Sequence, residues 1–123
     1  MKSIGVDFNG VIHGYSKGWH DGTIYDDPMP GAFKALSTLL DSFTVFVFTA
    51  RDLEPVAQWL TEQGQFEVYV DRPYPSGAWI RFWNERGKLL VTNRKLPAVA
   101  YVDDRAIRFT DWAQALADVK ALS

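Results

Sequence analysis

The sequence predicts an α/β domain built on a mostly parallel sheet. Three observations lead there. Short apolar, β-branched runs alternate along the chain with stretches of helical periodicity, the pattern of βαβ units. The run Thr44-Val45-Phe46-Val47-Phe48 is apolar without alternation, as a strand buried on both faces of a parallel sheet must be. Three such runs end in residues that carry chemistry: Asp7, Thr49 and the pair Asp103-Asp104. A parallel sheet brings its strand ends to one edge, and ligands of open α/β sheets bind there.

Ile4-Gly5-Val6, ending at Asp7, reads as the first strand. Residues 8–31 hold Gly10, Gly14, Gly18 and Gly22 and then the turn-rich Asp26-Asp27-Pro28-Met29-Pro30-Gly31. This is a long loop, read as a flap with Thr23-Ile24-Tyr25 as one arm; long loops in compact domains are usually functional or disordered, and Tyr15, Trp19 and Tyr25 favour function. Pro30 suits the first turn of a helix, in which Phe33, Leu36, Leu39 and Leu40 recur at helical spacing. A second helix is predicted from about Leu53 to Gln63, with Pro55 in its first turn, Val56, Trp59 and Leu60 as its apolar face, and Gly64 as its stop.

Phe66-Glu67-Val68-Tyr69-Val70 alternates like a strand. Pro73, Pro75 and Gly77 then break the chain before the aromatic stretch Trp79–Asn84 and a short strand within 87–92. Pro97–Val102 is another buried-type strand. Thr110 or Asp111 caps a last helix whose apolar stripe is Trp112, Ala115, Leu116, Val119 and Leu122. Right-handed crossovers are expected to place successive helices on the two faces of the sheet, giving three layers.

Composition narrows the function. The 123 residues suit one domain, 1–123, and 47% hydrophobic with 23% charged residues is a folding chain. The absence of cysteine excludes disulfides, a thiol nucleophile and cysteine-ligated zinc. His13 and His20 lack the further ligands a zinc site needs. A net charge of -2 argues against a broad nucleic-acid surface, while leaving room for a nucleic-acid end at a local site. The chain start carries no signal-peptide apolar core, and no apolar run approaches the ~20 residues that cross a bilayer. A cytoplasmic protein without a membrane partner is expected. Between residues 72 and 95, Arg72, Arg81, Arg86, Lys88, Arg94 and Lys95 interleave with Trp79, Phe82 and Trp83. That mixture reads either as a nucleotide-stacking surface or as core aromatics with a solvated charged face.

The strand ends define the candidate site. Asp7, Asp103 and Asp104 at one sheet edge would repel one another unless a cation neutralised them, and hard oxygen ligands suit Mg²⁺. Asp7-Phe8-Asn9-Gly10-Val11-Ile12, the apolar run ending in Thr49, then Lys95, then Tyr101-Val102-Asp103-Asp104, in that order, resemble the four motifs of the haloacid-dehalogenase-like phosphohydrolase superfamily. More closely, Gly10-Val11-Ile12-His13 and Val102-Asp103-Asp104-Arg105-Ala106-Ile107 look like its small capless branch of the actinobacterial and phage type. The resemblance spans almost the whole chain.

The resemblance implies a single Rossmann-like three-layer α/β/α domain without a large cap. It implies a Mg²⁺-dependent phosphomonoester hydrolase acting through an aspartyl-phosphate on Asp7. The metal would be held by Asp7, the main-chain carbonyl of Asn9, Asp103 and Asp104. Thr49 would donate to a phosphoryl oxygen, and Lys95, with Lys88 and Arg94 as alternatives, would bridge nucleophile and phosphate. Phe8, Gly10, Ala50, Arg51 and His13 are the candidates for substrate contact, Gly10 because the backbone must approach the phosphate closely there.

One position departs from the pattern. Active relatives usually carry Asp two residues after the nucleophile, as general acid and base, and this chain carries Asn9. A carboxamide cannot shuttle a proton at neutral pH, and that role is typically worth ~10²–10⁴-fold. A slowed phosphatase is therefore expected, or one in which His13, His20 or Asp21 acts instead. The substrate expected is a phosphorylated small molecule, of nucleotide type. The alternatives are a non-catalytic phosphate- or nucleotide-binding module and a phosphotransferase.

Overall fold

The computed structural model describes residues 2–122. In chain order these form β1 (Ser3–Asp7), α1 (Ala32–Ser42), β2 (Thr44–Phe48), α2 (Leu53–Gly64), β3 (Val68–Val70), β4 (Leu89–Thr92), β5 (Ala100–Val102) and α3 (Trp112–Lys120). The five strands make one sheet in the order β3-β4-β2-β1-β5, and every pairing is parallel. The register pairs Asp7 with Phe48 and Phe48 with Thr92, so the strand ends that carry Asp7, Thr49 and Asn93 lie side by side. Among the described residues, no helix is long and apolar enough to cross a membrane.

The topology explains which face each connection takes. From β1 to β2 to β3 the chain advances in one direction across the sheet, so two right-handed crossovers put α1 and α2 on the same face. There Leu36 of α1 and Val56, Ala57 and Leu60 of α2 pack on Ile4, Val6, Val45, Val47, Leu89 and Val91. The chain then reverses direction, from β3 back to β4 and from β4 across to β5, so those connections cross the opposite face. They are irregular coil rather than helix. Trp83 and Leu96 from these segments bury Phe46 and Leu90, with Ile80, Ala98 and Tyr101 around them. Trp83 ties the coil to the sheet: its carbonyl accepts from Ser3 Oγ at 3.1 Å and Thr44 Oγ1 at 3.0 Å.

Three sequence expectations are corrected here. The helices do not alternate between faces, and the third layer is coil, because strand order rather than element order sets the face. Thr23-Ile24-Tyr25 forms no strand; the 8–31 loop is instead closed by side chains, with Asp26 accepting from Ser16 N at 2.8 Å and the Tyr25 hydroxyl donating to the Gly18 carbonyl at 2.8 Å. Gly64 is the last helical residue of α2, and Gln65 takes the left-handed capping conformation (φ 56°). Gly64 is needed for another reason: a Cβ there would run into the Phe66 ring.

Asp111 caps α3 as expected, accepting from Gln114 N at 2.9 Å. No residue of α3 is buried, however, and its stripe of Trp112, Leu116, Val119 and Leu122 faces outward.

Candidate active site

Asp7 ends β1 with its carboxylate at the carboxyl edge of the sheet. Its Oδ1 accepts from the backbone N–H of Phe8 at 2.8 Å, which fixes the side-chain rotamer. Ligand oxygens of Asp7, Asp103 and Asp104 lie within 4.8 Å of one another. Burial, and the charges of Asp103 and Asp104, push the Asp7 carboxyl from 3.8 to about 6 against the opposing Phe8 bond. Asp103 Oδ1 also accepts from Arg105 N at 2.7 Å, an Asx-type turn that closes the loop after β5. Gly10 sits under this cluster with φ 82°, and a Cβ there would strike the Asp104 carboxylate. The close approach the sequence predicts at Gly10 is thus made by a carboxylate.

A cavity of about 240 Å³ opens beside Asp7, lined by Asn9, Tyr15, Trp19, Thr49, Ala50, Arg51 and Arg105. Thr49 is buried, and its Oγ1 accepts from Arg51 N at 3.1 Å, which leaves the hydroxyl proton for another acceptor. The turn is clamped from the neighbouring strand end: Asn93 Nδ2 donates to the carbonyls of Thr49 at 2.6 Å and Arg51 at 3.0 Å.

Arg51 is 5% exposed. Its guanidinium lies against the faces of Trp19 (4.8 Å) and Tyr15 (5.7 Å), and both rings come from the 8–31 loop. Nε donates to Asn9 Oδ1 at 2.9 Å and Nη1 to the Gly22 carbonyl at 2.8 Å. Nη2 is buried with no partner among the described residues. Leaving a buried donor of a charged group unsatisfied is costly, so this atom is open to a further acceptor.

His13 is fully buried and does not reach the cavity. Its Nε2 accepts from the Asp26 backbone N–H at 3.0 Å, so the ring proton sits on Nδ1, 3.1 Å from Asn9 Oδ1. Burial first, and Arg51 second, hold its pKa below the usual 6.5. A neutral imidazole with both nitrogens engaged is not a proton shuttle, and the expected substrate contact is corrected to a structural role. The Phe8 ring is fully buried between His13 and Trp59, and what Phe8 presents at the site is its backbone amide, which donates to Asp7. The other two substitutes for the acid lie in the outer loop, with His20 on the Tyr25 ring and Asp21 bonded to Thr23.

The three candidate cations separate clearly. Lys88 precedes β4, at the far end of the sheet, and pairs with Glu67 at 3.7 Å. Arg94 is committed to Asp71 through two bonds of 2.7 and 2.9 Å and to the Ile80 carbonyl at 2.9 Å. Lys95 Nζ rests over the Tyr101 ring at 5.2 Å and does not line the cavity. The cations that do line it are Arg51 and Arg105.

Sequence reasoning missed Arg105, Asn93, Tyr15 and Trp19 as parts of the site. Asn93 was legible in principle, because it follows a buried strand just as Thr49 does. Tyr15 and Trp19 were placed only in a loop of functional character. The pairing of those rings with Arg51 has no signal in spacing. No protein-family model, curated protein or solved structure matches the chain.

Proposed function

We propose that the protein is a Mg²⁺-dependent phosphomonoester hydrolase of the haloacid-dehalogenase-like kind, with Asp7 as nucleophile. The observation that carries this reading is the juxtaposition of three carboxylates with a cavity whose buried Arg51 Nη2 lacks a partner. One side of the site is built for a cation and the other for an anion, which is the division a metal-bound phosphoryl group requires.

The donor set fits a hard divalent cation: three carboxylates within 4.8 Å, one of them raised to about 6 by burial and by the other two. Asp7, Asp103 and Asp104 would hold the ion. When bound, Mg²⁺ neutralises the carboxylates and the phosphoryl oxygens. The chain's own groups do the rest. Thr49 donates its hydroxyl proton, and Arg51 Nη2 its N–H, to nonbridging phosphoryl oxygens. The Phe8 amide holds Asp7 Oδ1, leaving Oδ2 for attack on phosphorus. That attack forms the Asp7–phosphorus bond and breaks the ester bond, and the leaving alkoxide takes its proton from solvent. Water then cleaves the acyl phosphate, releasing inorganic phosphate and restoring Asp7.

Asn9 supplies no proton in either step, so the hydrolysis of the phosphoenzyme is slow. Tyr15 and Trp19 form the outer wall, and a substrate with a flat, stackable portion such as a nucleotide suits them. The test is phosphate release from p-nitrophenyl phosphate and a panel of nucleoside monophosphates with Mg²⁺. Turnover that disappears in Asp7→Asn supports the reading. A chain that releases no phosphate from any ester, and whose Asn9→Asp variant is equally inert, sinks it in favour of a binding module.

A further inference from the structure

The Arg51 side chain is held from a single segment of the chain. Arg51 stands in the turn between β2 and α2, yet among the described residues its guanidinium bonds to or stacks on Asn9, Tyr15, Trp19 and Gly22, all within the 8–31 loop. Nε and Nη1 are taken up by Asn9 Oδ1 and the Gly22 carbonyl, at 2.9 and 2.8 Å. A guanidinium is planar, so two bonds of this kind fix the direction of its third nitrogen, the buried and unpartnered Nη2. Trp19, at 4.8 Å, is the nearer of the two rings that shield the group from water.

The dependence also runs the other way. Residues 14–25 bond mainly within their own loop: Lys17 N donates to the Tyr25 hydroxyl at 2.6 Å, Gly18 N to the Tyr15 carbonyl at 3.2 Å and Gly22 N to the Trp19 carbonyl at 2.8 Å. Among the described residues, their one hydrogen bond to the chain outside the 8–31 loop is the one from Arg51 Nη1 to Gly22; Ile24 adds an apolar contact with the core. Gly22 has φ 83°, and a Cβ there would press on the Trp19 ring at 3.1 Å. The turn that aims the Gly22 carbonyl at Arg51 therefore also seats Trp19. Trp19 itself is 57% exposed, so the core has no need of it.

We infer that Trp19 is a positioning residue for the anion: with the Gly22 carbonyl it holds the Arg51 fork so that Nη2 presents its N–H to a phosphoryl oxygen, and a bound anion in turn holds residues 15–23 on the body of the protein. The inference rests on the assignment of Arg51 to the phosphoryl group made above. Trp19 keeps water from the guanidinium and restricts its rotamers, so the bond to the anion forms in a drier place and with less ordering left to do. Coupling of this kind is reciprocal: a segment whose closed state improves anion affinity is itself closed further by the anion. Because Trp19 acts through Arg51, its effect extends to an anion with nothing to stack. A ring that only stacked on a base would matter for nucleotides alone.

Inorganic phosphate is therefore the probe. Its affinity for the full chain in Mg²⁺ buffer is measured by calorimetry, and amide hydrogen exchange of residues 15–23 is followed with and without it. Trp19→Ala should weaken phosphate by about 5- to 30-fold, the effect of losing one shielded cation–π contact, and Trp19→Phe should restore most of the loss. At about ten times its dissociation constant, phosphate should slow exchange of the Lys17, Gly18 and Gly22 amides several-fold in the wild type, and less in Arg51→Lys at the same phosphate concentration. Trp19→Ala that binds phosphate as the wild type does, while losing affinity for nucleoside monophosphates, overturns the inference and leaves the hydrolase reading standing. Phosphate that binds without slowing exchange overturns it as well. A wild-type chain that binds no phosphate overturns both. Binding and protection without turnover of any ester uphold the role of Trp19 and remove the hydrolase.

Discussion

Arg51 Nε donates to Asn9 Oδ1 at 2.9 Å, and this contact decides what Asn9 does. A guanidinium has no acceptor, so the atom facing it must be the amide oxygen. The same oxygen receives the His13 Nδ1 proton. Asn9 is therefore a post that holds the arginine and the histidine, and its remaining amide N–H₂ can donate but never accept or release a proton.

Asn9→Asp should raise phosphate release, because a carboxylate can activate the water that cleaves the phosphoenzyme. The gain should sit near the lower end of the ~10²–10⁴ range for general acid–base catalysis. Arg51 beside the new carboxylate favours its ionised form, which suits the base role and hinders the acid role. The gain should accordingly be larger for p-nitrophenyl phosphate, whose leaving group needs little protonation, than for an alkyl phosphate. Steady-state rates on the two esters measure this; equal gains on both would contradict the assignment of Arg51 as partner of residue 9.

Arg51→Lys keeps the positive charge but removes the Nη2 donor and the planar fork that bonds Asn9 and the Gly22 carbonyl. A hydrogen bond to a charged group is worth about 1.5–3 kcal/mol, so phosphate binding should weaken by about 10- to 100-fold. The effect should appear in KM and in inhibition by inorganic phosphate. An unchanged inhibition constant would mean that Nη2 does not meet the anion.

Mg²⁺ and pH should act on stability through Asp7. Its carboxyl is raised from 3.8 to about 6 in the fold, by burial first and then by repulsion from Asp103 and Asp104. A raised carboxyl carries a stability that is full below about pH 3.8 and lost as pH rises through about 6. Asp7→Asn should therefore stabilise the metal-free protein more at pH 7.5 than at pH 5. Mg²⁺ should raise the Tm of the wild-type chain at pH 7.5, by linkage, and do so much less in Asp7→Asn. Thermal melts at the two pH values, with and without millimolar Mg²⁺, check both statements. No Mg²⁺-dependent shift in the wild type would remove the metal site.

The sheet was legible in the sequence because its strands are short apolar runs with polar ends. The elements from β1 to β5 fall close to where Ile4–Val6, Thr44–Phe48, Phe66–Val70, 87–92 and Pro97–Val102 put them. Layering was not legible, because the face of each helix depends on strand order, and β4 inserts between β2 and β3 without a local signal. In the site, Asp7, Asp103 and Asp104 come together because parallel strands align their ends. His13 looked like a reagent because a histidine beside a catalytic motif carries the same letters whether it is exposed or buried. Arg94 looked available because Asp71, its partner, stands 23 residues away. Asp71 directly follows β3 and Asp7 ends β1, and what separates them is the neighbour that each strand end meets.

Asp71→Ala tests that distinction. Asp71 accepts from Thr92 Oγ1 at 2.7 Å and from Arg94 twice. Its loss leaves buried Thr92 without that acceptor and frees Arg94, which is exposed enough to rehydrate. A loss of about 1–3 kcal/mol in unfolding free energy is expected. Phosphate inhibition should change little, since this network lies outside the Asp7 cavity. A large drop in phosphate affinity at unchanged stability would return Arg94 to the list of substrate contacts.

Gly10→Ala joins backbone strain and the proposed metal site in one measurement. Gly10 has φ 82°, where a side chain costs about 1–2 kcal/mol, and the added methyl would displace the Asp104 carboxylate. Backbone strain alone would lower the Tm equally with and without Mg²⁺. Displacement of Asp104 also takes a ligand from the cluster, so the Mg²⁺-induced rise in Tm should shrink. Asp104→Asn serves as the comparison, because it weakens the ligand without straining residue 10. Gly10→Ala should lose as much of the Mg²⁺ shift as Asp104→Asn does and start from a lower metal-free Tm. If Gly10→Ala keeps the full Mg²⁺ shift while Asp104→Asn loses it, the contact between residue 10 and Asp104 does not govern the site.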